Sequence, residues 1–129
     1  MFRKTSTTAQ TEATLQRISA EYGFSPKVLC VEDDVIMMED LEADTLYDIY
    51  GDEPSDVPDW IWDEIRTMVS TLYEEEGIEY VDITPYNFIE KDNRIYMIDF
   101  GDAKYTAGEP NWFLGEFLEG SDNWNPDFA

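Results

Sequence analysis

Residues 77–101 read GIEYVDITPYNFIEKDNRIYMIDFG, and this stretch decides the fold. It begins with a glycine of the kind that ends a helix. A loop follows in which Asp82 and Asn87 stand five residues apart. Two short apolar runs around polar turn residues predict a β-hairpin over residues 87–98. Asp99 then follows Asn87 by 12 residues. Each of these residues alone is a common loop residue in an acidic chain, but their ordered combination is much more specific.

Upstream of this stretch, the sequence predicts a long amphipathic helix over residues 58–75. Apolar side chains recur there at helical spacing, so that one face of the helix is suited to a core. Pro58 and Gly77 stand where a helix begins and ends. The apolar positions are Trp60, Ile61, Ile65, Met68, Val69 and Leu72.

Shorter elements lie on either side of this helix. The pattern predicts a helix near residues 7–22 and a short helix over residues 43–50. It also predicts a small antiparallel sheet from residues 1–4, 27–31 and 35–39. A final helix over residues 111–118 is expected to turn four side chains inward: Trp112, Phe113, Phe117 and Leu118. The rest of the chain after Gly101 is expected to be irregular, and the polar tail 121–128 holds two aromatic anchors, Trp124 and Phe128.

The composition excludes several classes of protein. The chain has 129 residues, which corresponds to one small domain. It contains no histidine, so histidine triads and histidine metal ligands are excluded. Its one cysteine, Cys30, excludes an internal disulfide framework and a multi-cysteine zinc site. Cys30 lies in an apolar run and is expected to be a core residue, in a protein of an intracellular, reducing compartment.

The charge is large, negative and uneven. The formal net charge is −22, and residues 31–59 hold twelve acidic side chains and no basic one. Such a surface disfavours direct binding to DNA or RNA. It suits a basic protein partner, a divalent cation or mimicry of a nucleic acid, although solubility alone also explains most of the acids. No apolar run approaches the length of a membrane-spanning helix, and the first residues do not form a secretory signal.

The loop and hairpin resemble the catalytic half of the protein-kinase-like fold. In that fold an Asp is followed five residues later by an Asn, and Asp-Phe-Gly follows one hairpin later. The resemblance implies that Asp99 and Asn87 bind Mg²⁺ and that Asp82 accepts the proton of a substrate hydroxyl. Hard oxygen ligands of this kind suit Mg²⁺, which takes one or two carboxylates together with phosphate oxygens. The implied cofactors are therefore Mg²⁺ and ATP.

The resemblance extends towards the N-terminus. It places Met38 at the gatekeeper position and residues 39–41, including Glu39 and Leu41, at the hinge whose backbone would bind adenine. It also places Glu12 near the glutamate of the helix αC, with Lys4 as the lysine that could pair with it. Eight residues is a short separation for this pair, and a frayed terminus is the alternative for Lys4.

The departures from the kinase pattern bear on function. The seven glycines do not form a Gly-rich phosphate loop, and too few residues precede Lys4 for the first two kinase strands. Tyr80 and Val81 replace the usual His-Arg pair. Thr84 stands at the position of the catalytic lysine, and few residues follow Gly101 for a helical C-lobe.

The expected fold is therefore α+β, a minimal protein-kinase-like fold that lacks the Gly-rich loop strands and most of the helical C-lobe. Residues 1–129 would form a single truncated domain, with residues 1–41 as a remnant N-lobe and residues 42–129 as a reduced C-lobe. In overall shape the chain resembles truncated kinase-like proteins of large DNA viruses and phages, and the residues 124–128 resemble the tails of some of them. For such a protein, the host cytoplasm or nucleus is the expected location.

Three hypotheses of function follow. The first is a pseudokinase that binds nucleotide and acts mainly by binding a protein partner, possibly a basic one. It is favoured by the missing glycine loop and by Thr84. The second is a minimal Mg·ATP-dependent phosphotransferase with Asp82 as base, favoured by the retained Asp82, Asn87 and Asp99. The third is an acidic decoy that imitates a nucleic acid, favoured by the charge of residues 31–59.

Overall fold

The computed structural model describes residues 1–106 and 108–128. Within them the chain forms four α-helices and three small antiparallel sheets. The α+β class agrees with the prediction from the sequence, which included two of the three sheets. The helices are α1 (Ala9–Glu21), α2 (Leu46–Tyr50), α3 (Asp59–Glu76) and α4 (Trp112–Leu118). The strands are β1 (Phe2–Thr5), β2 (Val28–Glu32), β3 (Val35–Met38), β4 (Ile78–Glu79), β5 (Phe88–Lys91), β6 (Arg94–Met97) and β7 (Lys104–Tyr105).

The N-terminal sheet has the strand order β1-β3-β2. The first strand pairs with β3 in a regular register that places Lys4 opposite Ile36. Lys4 therefore lies in a paired edge strand and not in a frayed end. The apolar run of β2 is less buried than its composition suggests, because the strand lies at the edge of the sheet. Cys30 is only half-buried, with its thiol 3.3 Å from the sulfur of Met37, so its assignment to the core is wrong.

The long helix α3 organises the main core. It follows Pro58 and ends at Gly77, whose φ of 66° is a left-handed conformation that glycine adopts without a Cβ clash. Its buried face is Ile61, Trp62, Ile65, Met68, Val69 and Leu72. Trp60 is 38% exposed and faces away from the core. The core joins this face to the hairpin β5–β6 and to α4.

The C-terminal part differs from the prediction in several details. Strands β4 and β7 pair with each other, although two-residue strands give no periodic signal in the sequence. In α4 the buried residues are Phe113, Leu114 and Phe117, while Trp112 is 54% exposed. Four inward side chains at those positions would span too wide an arc of so short a helix. In the tail Trp124 is buried but Phe128 is 39% exposed, so only one of the two expected anchors packs into the core.

A smaller apolar cluster lies between α1 and the N-terminal sheet. It consists of Ala9, Ala13, Ile36 and Met38. Leu15, from the same helix, belongs instead to the main core. Helix α1 therefore contacts both clusters, and the division of the chain at residue 41 stays a prediction. In the described part of the chain, no helix is long and apolar enough to cross a membrane.

Candidate functional site

A cavity of about 420 Å³ lies between the N-terminal sheet and the hairpin β5–β6. Six of the nine residues that the sequence singles out for function line it: Lys4, Met38, Glu39, Leu41, Asn87 and Asp99. Apolar walls come from Phe2, Ile89 and Ile98, which sequence reasoning missed. The other three predicted residues, Glu12, Asp82 and Thr84, are not among the lining residues.

Lys4 links two acidic side chains at one end of this cavity. Its Nζ lies 2.5 Å from Glu12 Oε2 and 2.8 Å from Asp99 Oδ1. The eight-residue separation of Lys4 and Glu12 is no obstacle, because β1 pairs with the sheet and the chain turns directly into α1. Burial alone lowers the pKa of Lys4, but the bonds to Asp99 and Glu12 outweigh it, so that the pKa is raised overall. Lys4 is therefore a cation throughout the neutral range.

Glu12 is the most buried member of this network. Its side chain is 1% exposed, and a charged group in such a place needs a partner. Lys4 supplies that partner on Oε2, whereas Oε1 has no hydrogen bond within the described residues. Gly101 lies beside it, and a Cβ there would come within 3.4 Å of Glu12 Oε1 and 3.2 Å of Asp99 Oδ1. The absence of a side chain at position 101 keeps both carboxylates close to the cavity.

Asp99 and Asn87 present the oxygen atoms that a magnesium ion would need. Asp99 has a φ of 62° and its Oδ1 accepts a hydrogen bond from Gly101 N–H at 3.1 Å. Asn87 donates its Nδ2 to the carbonyl of Asp82 at 2.9 Å, which leaves the amide oxygen as its other polar atom. Among the residues described, no group of three or more acidic or cysteine side chains could hold a metal ion alone. The pair fits a magnesium ion that takes its remaining ligands from phosphate and water.

Asp82 is largely buried in the loop before Asn87. Burial raises the pKa of Asp82 to about 6, and the charges of Asp99 and Asp102 add to this effect. The Asn87 side chain and Lys4 oppose it. The carboxyl of Asp82 is thus a stronger base than an ordinary aspartate, while it is still ionised in most molecules at pH 7 and above.

Tyr80 connects this loop to the segment that contains Asp99. The phenol is fully buried and donates to the carbonyl of Ile98 at 2.5 Å. Its ring meets Phe100 edge-on, with the centroids 5.2 Å apart. Burial raises the pKa of Tyr80 well above its usual value, with the charges of Asp82 and Asp99 adding to the effect. Tyr80 therefore acts as a neutral donor that fixes the backbone next to Asp99.

Thr84 has a backbone role in the loop. Its N–H donates to the Asp82 carbonyl at 3.1 Å, and its own carbonyl accepts from Asn87 N–H at 3.2 Å. The residue is 2% exposed. The structure thus places Thr84 inside the loop, and a catalytic role for its side chain stays a prediction.

The segment at the end of β3 offers backbone groups to the cavity. Met38 is buried and its sulfur lies 3.5 Å from Gln16 Nε2. Glu39 N–H donates to the carbonyl of Lys27, and the Leu41 carbonyl accepts from Lys91 Nζ. Within residues 1–106 and 108–128, neither the Glu39 carbonyl nor the Leu41 N–H makes a hydrogen bond. These are a free acceptor and a free donor two residues apart in the chain.

The amino-acid sequence matches a known protein family. The chain matches the RIO domain family over residues 3–119. It belongs to the RIO domain family. Over 77 residues this RIO domain is 36% identical to the probable serine/threonine-protein kinase BUD32 homolog of Archaeoglobus fulgidus. That alignment covers 60% of this chain and 35% of the relative, so the chain spans only part of the relative's length. The kinase-like fold inferred from the sequence is confirmed.

Proposed function

We propose that this RIO domain binds Mg·ATP in the cavity and transfers the terminal phosphate, with Asp82 as the base. The observation that supports this most strongly is the position of Lys4, whose Nζ contacts both the buried Glu12 and Asp99. A lysine held in this way presents a fixed cation next to the carboxylate that would bind the metal. The same contacts are those expected of a kinase phosphate site.

Each part of the site has a physical task in this proposal. Phosphoryl transfer depends mainly on positioning and on electrostatic stabilisation, which bound Mg·ATP supplies together with the protein. Asp99 and Asn87 would hold the metal, and Lys4 would hold the phosphates. The apolar walls and the free backbone groups of Glu39 and Leu41 suit a flat base with one donor and one acceptor edge.

Asp82 would take the proton from the acceptor hydroxyl. A general base works best when its pKa lies near the operating pH. The pKa of about 6 places Asp82 closer to this condition than an exposed aspartate. It contacts neither Lys4 nor another cation within hydrogen-bond distance in the described residues, so that its carboxylate is available to a substrate.

Binding is tested by the melting temperature in the presence of Mg²⁺ and ATP. At about a hundred times the dissociation constant, the ligand adds about 2.7 kcal/mol, or roughly 10 °C for a domain of this size. Asp99→Asn should abolish the rise and leave the apo protein folded. The matched control is Asp92→Asn in the exposed β5–β6 turn, where Asn tolerates the φ of 53°. No rise in the unmodified protein at millimolar Mg·ATP would exclude nucleotide binding.

Transfer is tested separately with labelled ATP and a basic protein acceptor. Asp82→Asn should leave Mg·ATP binding within about threefold and reduce transfer by at least about a hundredfold. Equal labelling by the unmodified protein and by Asp82→Asn would contradict the enzymatic part of the proposal.

Equal labelling by the two proteins would favour a pseudokinase that acts through a protein partner. Two observations support this alternative. Thr84 supplies no cation where the kinase pattern has a lysine. In addition, Tyr47, which lies within the acidic segment 31–59, stacks on Tyr86 with the ring centroids 4.5 Å apart, and the two side chains are 40% and 49% exposed. Such a surface suits arginine side chains of a basic partner. Salt-sensitive binding of an arginine-rich peptide, weakened by Tyr86→Ala, would support it.

A further inference from the structure

The tail of the chain is attached to the catalytic loop. Asn125 is fully buried, and its Nδ2 donates to the carbonyl of Val81 at 2.8 Å. Its backbone N–H donates to the carbonyl of Ile83 at 2.9 Å. Val81 and Ile83 are the two neighbours of Asp82 in the sequence. One residue of the tail therefore binds the backbone on both sides of the proposed base.

We propose that Asn125, in the tail segment 121–128, is a positioning residue for Asp82. The match to the RIO domain family ends at residue 119, so nothing in that match assigns a role to this segment. The effect on catalysis rests on the proposed function, but the effect on the loop does not.

First, the loop backbone is held at three successive carbonyl groups. The Val81 and Ile83 carbonyls accept from Asn125, and the Asp82 carbonyl accepts from Asn87 Nδ2 at 2.9 Å. The Val81 and Asp82 carbonyls belong to the two peptide planes that flank the Asp82 Cα, so fixing them fixes the direction in which the side chain leaves the backbone. The Ile83 and Thr84 amides also donate to these two carbonyls from within the loop, and Asn125 adds the bonds that tie the loop to the tail.

Second, Asn125 itself has little freedom. Its Oδ1 accepts from Asp127 N–H at 3.1 Å, while its carbonyl accepts from Phe128 N–H at 3.1 Å. The residue thus uses its side-chain donor, its side-chain acceptor and both backbone groups. A residue that only filled space would not need an amide, because burying one without partners is costly.

Third, the tail is anchored to α3 and α4 independently of the loop. Trp124 packs on Trp62 of α3 with the ring centroids 4.5 Å apart. Arg66, also on α3, donates to the Phe117 and Ser121 carbonyls and pairs with Asp122 at 2.6 Å. The tail can therefore transmit the rigidity of the main core to the loop. Its amide donors are neutral, so they position Asp82 without a cation that would weaken it as a base.

The experiment compares Asn125→Ala with Asn123→Ala in the full chain. Asn123 is an exposed residue of the same tail, and among the described residues its amide bonds only to Ser121 Oγ. Amide hydrogen exchange is measured by NMR at a temperature at which both variants are folded. In Asn125→Ala the Ile83 and Thr84 amides, which donate within the loop, should exchange at least about tenfold faster. Amides of the β2–β3 hairpin should keep their rates in both variants.

Enzyme kinetics separate positioning from general stability. For Asn125→Ala we expect the rate of transfer to fall at least about tenfold while KM for ATP changes less than about threefold. Asn125→Ser serves if the alanine variant does not fold, because its hydroxyl gives the buried site a donor and an acceptor without adding a charge, while its shorter side chain weakens the bond to Val81.

Unchanged exchange at Ile83 and Thr84, or an equal increase throughout the protein, would overturn the proposal. If the unmodified protein transfers no phosphate, the proposed function fails, and the exchange rates by themselves still decide whether Asn125 holds the loop. Selective loss of loop protection in that case supports the positioning role.

Discussion

The two halves of the site are held by different kinds of interaction. On the lysine side, Lys4 joins two carboxylates through charged hydrogen bonds of 2.5 and 2.8 Å. On the loop side, Asn87 and Asn125 hold the backbone around Asp82 through neutral amides. A cation beside Asp82 would lower its pKa, whereas an amide bound to the backbone leaves the carboxylate free. Under the proposed function, charge lies where a phosphate would bind and neutral donors lie where a base would act.

The largest effect is expected from breaking the charged half. Lys4→Met leaves Glu12, which is 1% exposed, without its partner. We expect a loss of about 3 kcal/mol in the free energy of unfolding at pH 7, because an uncompensated buried charge is expensive. Chemical denaturation measures it. The exposed Lys27→Met is the matched control and should change stability by less than about 0.5 kcal/mol.

A double variant sharpens this prediction. Adding Glu12→Gln to Lys4→Met removes the orphaned charge and should restore most of the lost stability. If the double variant is as unstable as the single one, Lys4 contributes through packing, and the contrast between a charged and a neutral half does not hold.

The next effect concerns the loop and depends on pH. The folded pKa of Asp82, about 6, lies above the ordinary aspartate value of 3.8. The folded state therefore favours the protonated form, and this contribution to stability is present below about pH 4 and lost as the pH rises to about 6. Asp82→Asn avoids that loss. It should be more stable than the unmodified protein by about 1–2 kcal/mol at pH 8, after allowance for solvent screening, and equally stable near pH 4.

Thermal unfolding of both proteins between pH 4 and pH 8 measures this difference. A constant difference in stability over the whole pH range would mean that ionisation of Asp82 does not destabilise the folded state. In that case the loop would resemble the lysine side, where charge is compensated.

The smallest effect tests the link between the two halves. Tyr80→Phe removes the buried donor to the Ile98 carbonyl and should cost about 1 kcal/mol. Tyr73→Phe removes a comparable bond, to the Gly108 carbonyl, at an exposed position and should cost less than about 0.5 kcal/mol. Equal losses of stability in the two variants would show that the buried hydrogen bond of Tyr80 contributes no more than the exposed one of Tyr73.

Several predictions from the sequence stay open. Three of them concern the protein's surroundings and not its internal contacts, so they stay predictions. They are the resemblance to viral and phage proteins, the intracellular location and the decoy hypothesis. The role of Thr84 is likewise open, because its observed contacts are those of the loop backbone.

The sequence by itself determined the elements and the order of the chemical groups. Periodicity predicted α3, and the spacing of Asp82, Asn87 and Asp99 indicated a kinase-like loop and hairpin, because local patterns and short intervals constrain local structure. Only the tertiary structure decided that Lys4 meets Glu12 and Asp99, and that Asn125 meets Val81 and Ile83. The pairs Lys4–Asp99 and Asn125–Val81 are 95 and 44 residues apart. Contacts at such separations follow from how the sheet, α3 and α4 pack, and no periodicity along the chain encodes them.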